Sequence, residues 1–228
     1  MTKRIFSFLY VYPIISREER YMIDRARSIA ISSGKGGTGK TTLTANLGIA
    51  LSNEGHDVTI LDGDLAMANL GIIMGVDNPP VNFLDVLKEN AEAEDALYED
   101  YGVKVVPTGF RFEEVHETLS DIDSNRVENV IEELLRQTEF LLIDVPAGMT
   151  DTTIISIAAA REMIPITNPN YSSLVDTYKT VKLANVVDTW TRGLVVNRVG
   201  RSSDLERGEI EDFFWPVSKF GSHHFGNS

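Results

Sequence analysis

Eight consecutive residues carry the most specific chemistry in this sequence: Gly34-Lys35-Gly36-Gly37-Thr38-Gly39-Lys40-Thr41. Two glycines bracket four residues and are followed by Lys and Thr, the pattern of a phosphate-binding loop. The glycines let successive backbone N–H groups converge on phosphate oxygens, and a helix starting there adds the positive end of its dipole. Lys40 is placed to reach the β- and γ-phosphates of a nucleotide, and the Thr41 hydroxyl to take one coordination position of Mg²⁺. Lys35 is a second lysine inside the loop. Its repulsion with Lys40 is offset only if more phosphate charge lies nearby.

Two carboxylate motifs follow. Leu61-Asp62-Gly63-Asp64 puts a pair of aspartates at the end of an apolar run. Phe140-Leu141-Leu142-Ile143-Asp144-Val145-Pro146-Ala147-Gly148 closes four apolar residues on an aspartate, the Walker B arrangement. A carboxylate at a strand end can hold Mg²⁺ through water, and another can orient or deprotonate an attacking water. Pro146 and Gly148 permit a loop that moves when a γ-phosphate is lost. Asn197, after Leu194-Val195-Val196, is either an ordinary turn residue or a donor and acceptor for a base edge.

These residues need elements to hold them. A β-branched run over 28–32 predicts a strand meeting the glycine turn, and 40–54 a helix with apolar residues at 43, 47 and 51 on one face, stopped by Gly55. A strand over 58–61 completes a βαβ unit with a right-handed crossover. The alternation continues with strands over 103–106, 140–143, 163–167 and 194–196. Helices are expected from Ser124 (apolar at 127, 130, 131, 134 and 135), over 152–162, over 172–187 and near 204–214. This predicts an α/β fold of three layers, a mainly parallel sheet flanked by helices, with ligands at the carboxyl ends of the strands.

Residues 35–42, Lys-Gly-Gly-Thr-Gly-Lys-Thr-Thr, resemble the deviant Walker A loop of the MinD/ParA family of P-loop ATPases. The Asp62-Gly63-Asp64 and Asp144-Val145-Pro146-Ala147-Gly148 segments resemble that family's switch I and switch II, and Asn168-Pro169 and Asn197-Arg198 resemble further landmarks. The likeness runs from about Arg27 to Phe214, and residues 67–75 look more like MinD than a plasmid-type ParA. It implies that Gly34, Lys35, Gly36, Gly37, Thr38, Gly39, Lys40, Thr41 and Thr42 bind ATP, with Asn197 at the base. It further implies that Thr41, Asp62 and Asp144 hold Mg²⁺, that Asp64 carries the hydrolytic role with Lys40, and that Lys35 reaches the nucleotide of a second subunit. The implied activity is a Mg-ATP-dependent homodimerisation switch with slow hydrolysis, stimulated by an activating protein and used for spatial positioning in the cytoplasm. Two other readings stay open, a ParA-like DNA-segregation ATPase and an inactive adaptor. The family continues past the helix near 204–214 with another strand and helices. Here Trp215 onward stands in their place, so a shortened sheet edge is expected.

Composition narrows the choice. The chain has 228 residues, 43% apolar and 24% charged, enough for one domain over 22–214 with tails at 1–21 and 215–228. It has no cysteine, which excludes disulfides, thiolate metal sites and cysteine nucleophiles, and with them the cysteine-bearing iron–sulfur relatives. Net charge is −13, and 15 basic against 31 acidic residues beyond position 27 leave that part at −16, which disfavours nucleic acid. No run approaches the roughly 20 apolar residues of a membrane-spanning helix. The aromatic stretch over 5–15 behind Lys3-Arg4 lacks a signal-peptide cleavage site but is a candidate peripheral anchor at the inner face of the membrane. Met22 could itself begin the chain, and the adjacent His223 and His224 are expected in a tail.

Overall fold

Strands form where apolar and β-branched residues run without interruption. In the computed structural model, which describes residues 10–13, 26–65, 67–109, 124–200 and 203–218, the strands are β1 (Tyr10–Pro13), β2 (Arg27–Ser32), β3 (Val58–Asp62), β4 (Tyr98–Asp100), β5 (Val103–Val106), β6 (Phe140–Asp144), β7 (Glu162–Thr167), β8 (Trp190–Thr191) and β9 (Gly193–Val196). The helices are α1 (Lys40–Asn53), α2 (Leu70–Ile73), α3 (Phe83–Leu87), α4 (Ser124–Leu135), α5 (Asp151–Ala158), α6 (Tyr171–Val186) and α7 (Arg207–Ser218).

The sheet runs β1-β9-β7-β2-β6-β3-β5-β4, with β8 also on β7. The six strands from β9 to β5 are parallel, and β1 and β4 are antiparallel at the two edges. Helices cover both faces. Ile29 and Ile31 enter one core with Ile60 and Leu142, while Ala30, Leu61, Leu141 and Ile143 enter the other. Such strands are buried at nearly every position because each successive side chain finds a covered face. This is the three-layer α/β fold expected.

Local departures have physical causes. The helical face at Leu43, Leu47 and Leu51 is only partly buried, and after Lys40 the buried residues are Thr44, Ala45 and Gly48. A Cβ at Gly48 would collide with Ile60, so small residues let α1 close on the sheet. The helix expected over 152–162 stops at Ala158, because Glu162 is drawn into the sheet by Arg27 and Arg192. The expected tails are not wholly tails: Tyr10–Pro13 is an edge strand, and α7 carries on from Trp215 to Ser218. Phe213 and Phe214 anchor α7 on Tyr178 of α6, ring centroids 5.7 and 6.2 Å away. The candidate anchor residues Lys3, Arg4, Phe6 and Phe8, with the others of 1–9 and 14–21, and His223 and His224 lie outside the described residues. Among the described residues no helix is long and apolar enough to cross a membrane.

Candidate nucleotide-binding site

The sequence from β2 to α1 folds into a loop whose backbone demands glycine. Gly37 and Gly39 have φ of +73° and +97°, a left-handed conformation that glycine adopts at no steric cost. Gly34 is required differently, since a Cβ there would strike the backbone of α6 at Asp176 and Thr177. The Ser33 hydroxyl donates to the Lys35 carbonyl (2.9 Å), and the Asn197 amide donates to the Thr38 carbonyl (2.8 Å), pinning the loop from both ends. No side chain caps the first turn of α1, so its leading N–H groups stay available for a ligand. Open space lies where Cβ atoms of Gly36 and Gly37 would sit. Hydroxyl oxygens of Ser32 and Thr38 and the amide oxygen of Asn168 are buried here without a protein partner. A cradle of free donors with unpaired polar atoms around it fits a polyphosphate.

Below the loop, Lys40 and Asp144 form a buried ion pair at 2.9 Å, and the Thr44 hydroxyl donates to the same Asp144 oxygen at 3.2 Å. Asp144 ends β6 level with Asp62 at the end of β3. Asp62 is fully buried, and its two oxygens accept the N–H groups of Asp64 and Leu70, each at 3.1 Å. Burial, and next the neighbouring Asp144 charge, push its pKa up to about 8 against those two donors. Two buried carboxylates side by side favour a proton or a cation between them, and a divalent ion fits. Among the described residues no cluster of three or more acidic or histidine side chains could hold a metal alone, so phosphate oxygens would complete the shell.

The remaining expected residues are placed less centrally. Thr41 is half-buried in the first turn of α1, and Thr42 is exposed, its carbonyl accepting from the Asn46 amide at 2.8 Å. Asp64 folds back on its own loop and accepts the Met67 N–H at 3.0 Å. Lys35 is half-exposed and turned away from the loop: it donates to the Ser172 hydroxyl and lies 3.6 Å from Asp176. The Lys179 hydrogen bond, with Lys35 adding charge, holds the Asp176 carboxyl below its usual range although burial opposes this. Thr44 was not singled out by sequence reasoning; the helix from Ser172, with Asp176 and Lys179, reads from sequence as facing either a partner or solvent, and its contacts with Lys35 were not foreseen. Thr44 was within reach of such reasoning, since it sits one helical turn after Lys40 and its hydroxyl also bonds the Lys40 carbonyl. Large apolar side chains are exposed at this same end of the sheet, at Met67, Met149, Tyr171 and Val175.

A model of the ParA family, described as a NUBPL iron-transfer P-loop NTPase, matches residues 24–214. The chain is a member of the ParA family of P-loop NTPases. The iron-transfer wording is that of the family description. An uncharacterized ATP-binding protein of Methanocaldococcus jannaschii is 42% identical over 179 residues, covering 78% of this chain and 66% of the relative. The septum site-determining protein MinD of Synechocystis is 33% identical, covering 76% and 65%. The chain thus spans about two thirds of the length of these curated relatives. Among solved structures, the cell division ATPase MinD of Pyrococcus furiosus superposes with a TM-score of 0.76 at 40% identity, covering 82% of this chain and 78% of that one. MinD of Pyrococcus horikoshii, complexed with Mg-ADP, superposes equally well at 38% identity, covering 82% and 77%. The relatives of this ParA-family domain are therefore MinD-like ATPases.

Proposed function

We propose that this ParA-family chain is an ATPase that binds Mg-ATP as a monomer, closes into a homodimer around the nucleotide, and opens after slow hydrolysis. The observation that carries the reading is Lys35. It sits in the loop yet faces Ser172 and Asp176 on the protein surface, beside exposed Met149, Tyr171 and Val175. A cation so placed is free to cross to a second subunit once that surface is covered.

Gly34, Gly36, Gly37, Thr38, Gly39 and Thr42 would wrap the phosphates, and Lys40 would turn from Asp144 to the β- and γ-phosphates. Thr41 directly, and Asp62 and Asp144 through water, would hold Mg²⁺, which supplies charge neutralisation on those phosphates. Asn197 still has one amide hydrogen and one oxygen lone pair for adenine after bonding Thr38 and Arg198. Asp64 would orient or deprotonate the attacking water. Its present bond to the Met67 N–H must first break, which supports slow hydrolysis until an activating protein reshapes the loop. The names of the MinD relatives, a septum site-determining protein and a cell division ATPase, support a role in spatial positioning; a place in the cytoplasm or peripherally at the inner face of the membrane belongs to the same proposal.

Light scattering with Mg-ATP, with Mg-ADP and without nucleotide tests the reading, using Asp64→Ala to trap the ATP state. The expected result is a dimer with Mg-ATP alone, lost in Lys35→Ala while monomeric ATP binding remains. A Lys35→Ala chain that still dimerises on ATP would sink the model.

A further inference from the structure

β9 has two backbone edges, and only one of them faces the body of the sheet. The Asn197 N–H, immediately after β9, donates to the Thr167 carbonyl of β7 at 2.8 Å. Successive residues of a strand turn their N–H and C=O groups to opposite sides. Val195 therefore shares the β7 side with Asn197, and the backbone groups of the buried residues Leu194 and Val196 face the other edge. There β1 lies antiparallel, with Tyr12 opposite Leu194 and Tyr10 opposite Val196. Pro13 lies opposite Gly193 and has no N–H to give, so it falls on the parity that points outward, where an edge strand tolerates proline. All three placements agree that the backbone of Tyr10 and Tyr12 meets that of Val196 and Leu194.

β1 lies outside residues 24–214, the span of the family match, so it is an addition to the ParA domain. Its partner Val196 is one residue from Asn197, whose amide holds the Thr38 carbonyl and also fills the space beside Gly39. We propose that β1 is a positioning element for the phosphate loop, acting through β9 and Asn197 on the Thr38-Gly39 turn. Fixing both backbone edges of β9 limits the drift of the side chain at its end, and the left-handed turn at Gly39 is the part of the loop that this side chain braces. The role rests on the nucleotide-binding reading above.

Tyr12→Pro and Val11→Pro in the full chain place the same ring at adjacent positions, and only the first removes an N–H from the β9 side. In Tyr12→Pro, amide hydrogen exchange at Leu194 and Val196 should speed by about tenfold or more. The Kd for Mg-ATP should rise by about tenfold, the scale of one hydrogen bond. Val11→Pro should retain both. Asn197→Ala should weaken Mg-ATP without speeding exchange at Leu194, and adding Tyr12→Pro to it should cost no further affinity, because β1 reaches the loop only through the Asn197 side chain. Unchanged exchange in Tyr12→Pro overturns the seating of β1. Faster exchange with ATP affinity retained, or additive losses in the double variant, overturns the positioning role. An unaltered chain that shows the exchange pattern but binds no Mg-ATP defeats the nucleotide reading and the positioning role together, and leaves the seating of β1 standing.

Discussion

Where β2 and β7 begin, Arg27 grips Glu162 with Nε at 2.8 Å and Nη2 at 2.6 Å, and Arg192 adds its own Nε while its guanidinium lies 3.6 Å over the Trp190 ring. Nearby, Lys104 spans Asp57 and the Gln137 carbonyl, and Glu139 accepts the Asp57 N–H and pairs with His56. Where the central strands end, the pattern is reversed. The Thr38 hydroxyl is buried without a partner, Asp62 is crowded by Asp144, Lys40 rests on a single Asp144 oxygen, and Met67 and Tyr171 stand in solvent. Charges at the amino end are satisfied by the chain itself. At the carboxyl end the chain leaves polar atoms unpaired and apolar side chains exposed, so rigidity and the proposed nucleotide binding are drawn from opposite ends of one sheet.

The largest effect expected on that contrast comes from Lys40→Ala. Losing a charge-assisted phosphate contact, worth about 3 kcal/mol, should weaken Mg-ATP about a hundredfold by calorimetry. At the other end, Glu162→Gln strips two guanidiniums of their shared carboxylate. It should cost about 3 kcal/mol of stability in urea unfolding and leave Mg-ATP affinity within twofold. If Glu162→Gln weakened ATP as much as Lys40→Ala does, the division between the ends would not hold.

The smallest and sharpest effect concerns Asp62. Its folded pKa of about 8 lies above the ordinary carboxylate value, so the native state binds more protons than the unfolded one between about pH 4 and 8. Stability of the nucleotide-free chain should therefore fall as pH rises through that window and level off above it. Asp62→Asn should flatten the slope and raise the melting temperature at pH 8, while weakening Mg-ATP. A wild-type slope that survives in Asp62→Asn would locate the titrating group elsewhere.

How much of this could be read in the sequence follows from the range of each contact. The phosphate loop is local, so residues 34–41 announced it, and the strands before and after it were marked by their apolar runs. The helical face of α4 was equally plain, because Val127, Val130, Ile131 and Leu134 are buried as their spacing required and Leu135 packs partly buried beside them. The face of α1 was read in part, since Leu43, Leu47 and Leu51 do pack against the core, but close approach to Ile60 selects small residues such as Gly48 that hydrophobicity does not mark. The cross-chain partners were illegible for a different reason. Lys35 meets Ser172 from 137 residues away, and Lys40 meets Asp144 from 104, through a strand order that no local pattern encodes. The seat of β1 was hidden for the same reason, since an aromatic stretch over 5–15 that reads as a tail or a peripheral anchor gives no sign of the sheet edge that residues 10–13 join.

The level pairing of Asp62 with Asp144 has a further consequence. Neighbouring strands stand about 4.8 Å apart, and a slip of one residue sends a side chain to the opposite face. The two carboxylates come together only if β3 and β6 are zipped in the correct frame. A chain that collapsed with these strands misaligned by one step could still hide most of its apolar surface, but it would have scattered the pair. Mg-nucleotide affinity in this molecule is therefore also an assay of alignment, able to separate correctly folded chains from compact impostors that circular dichroism would score alike.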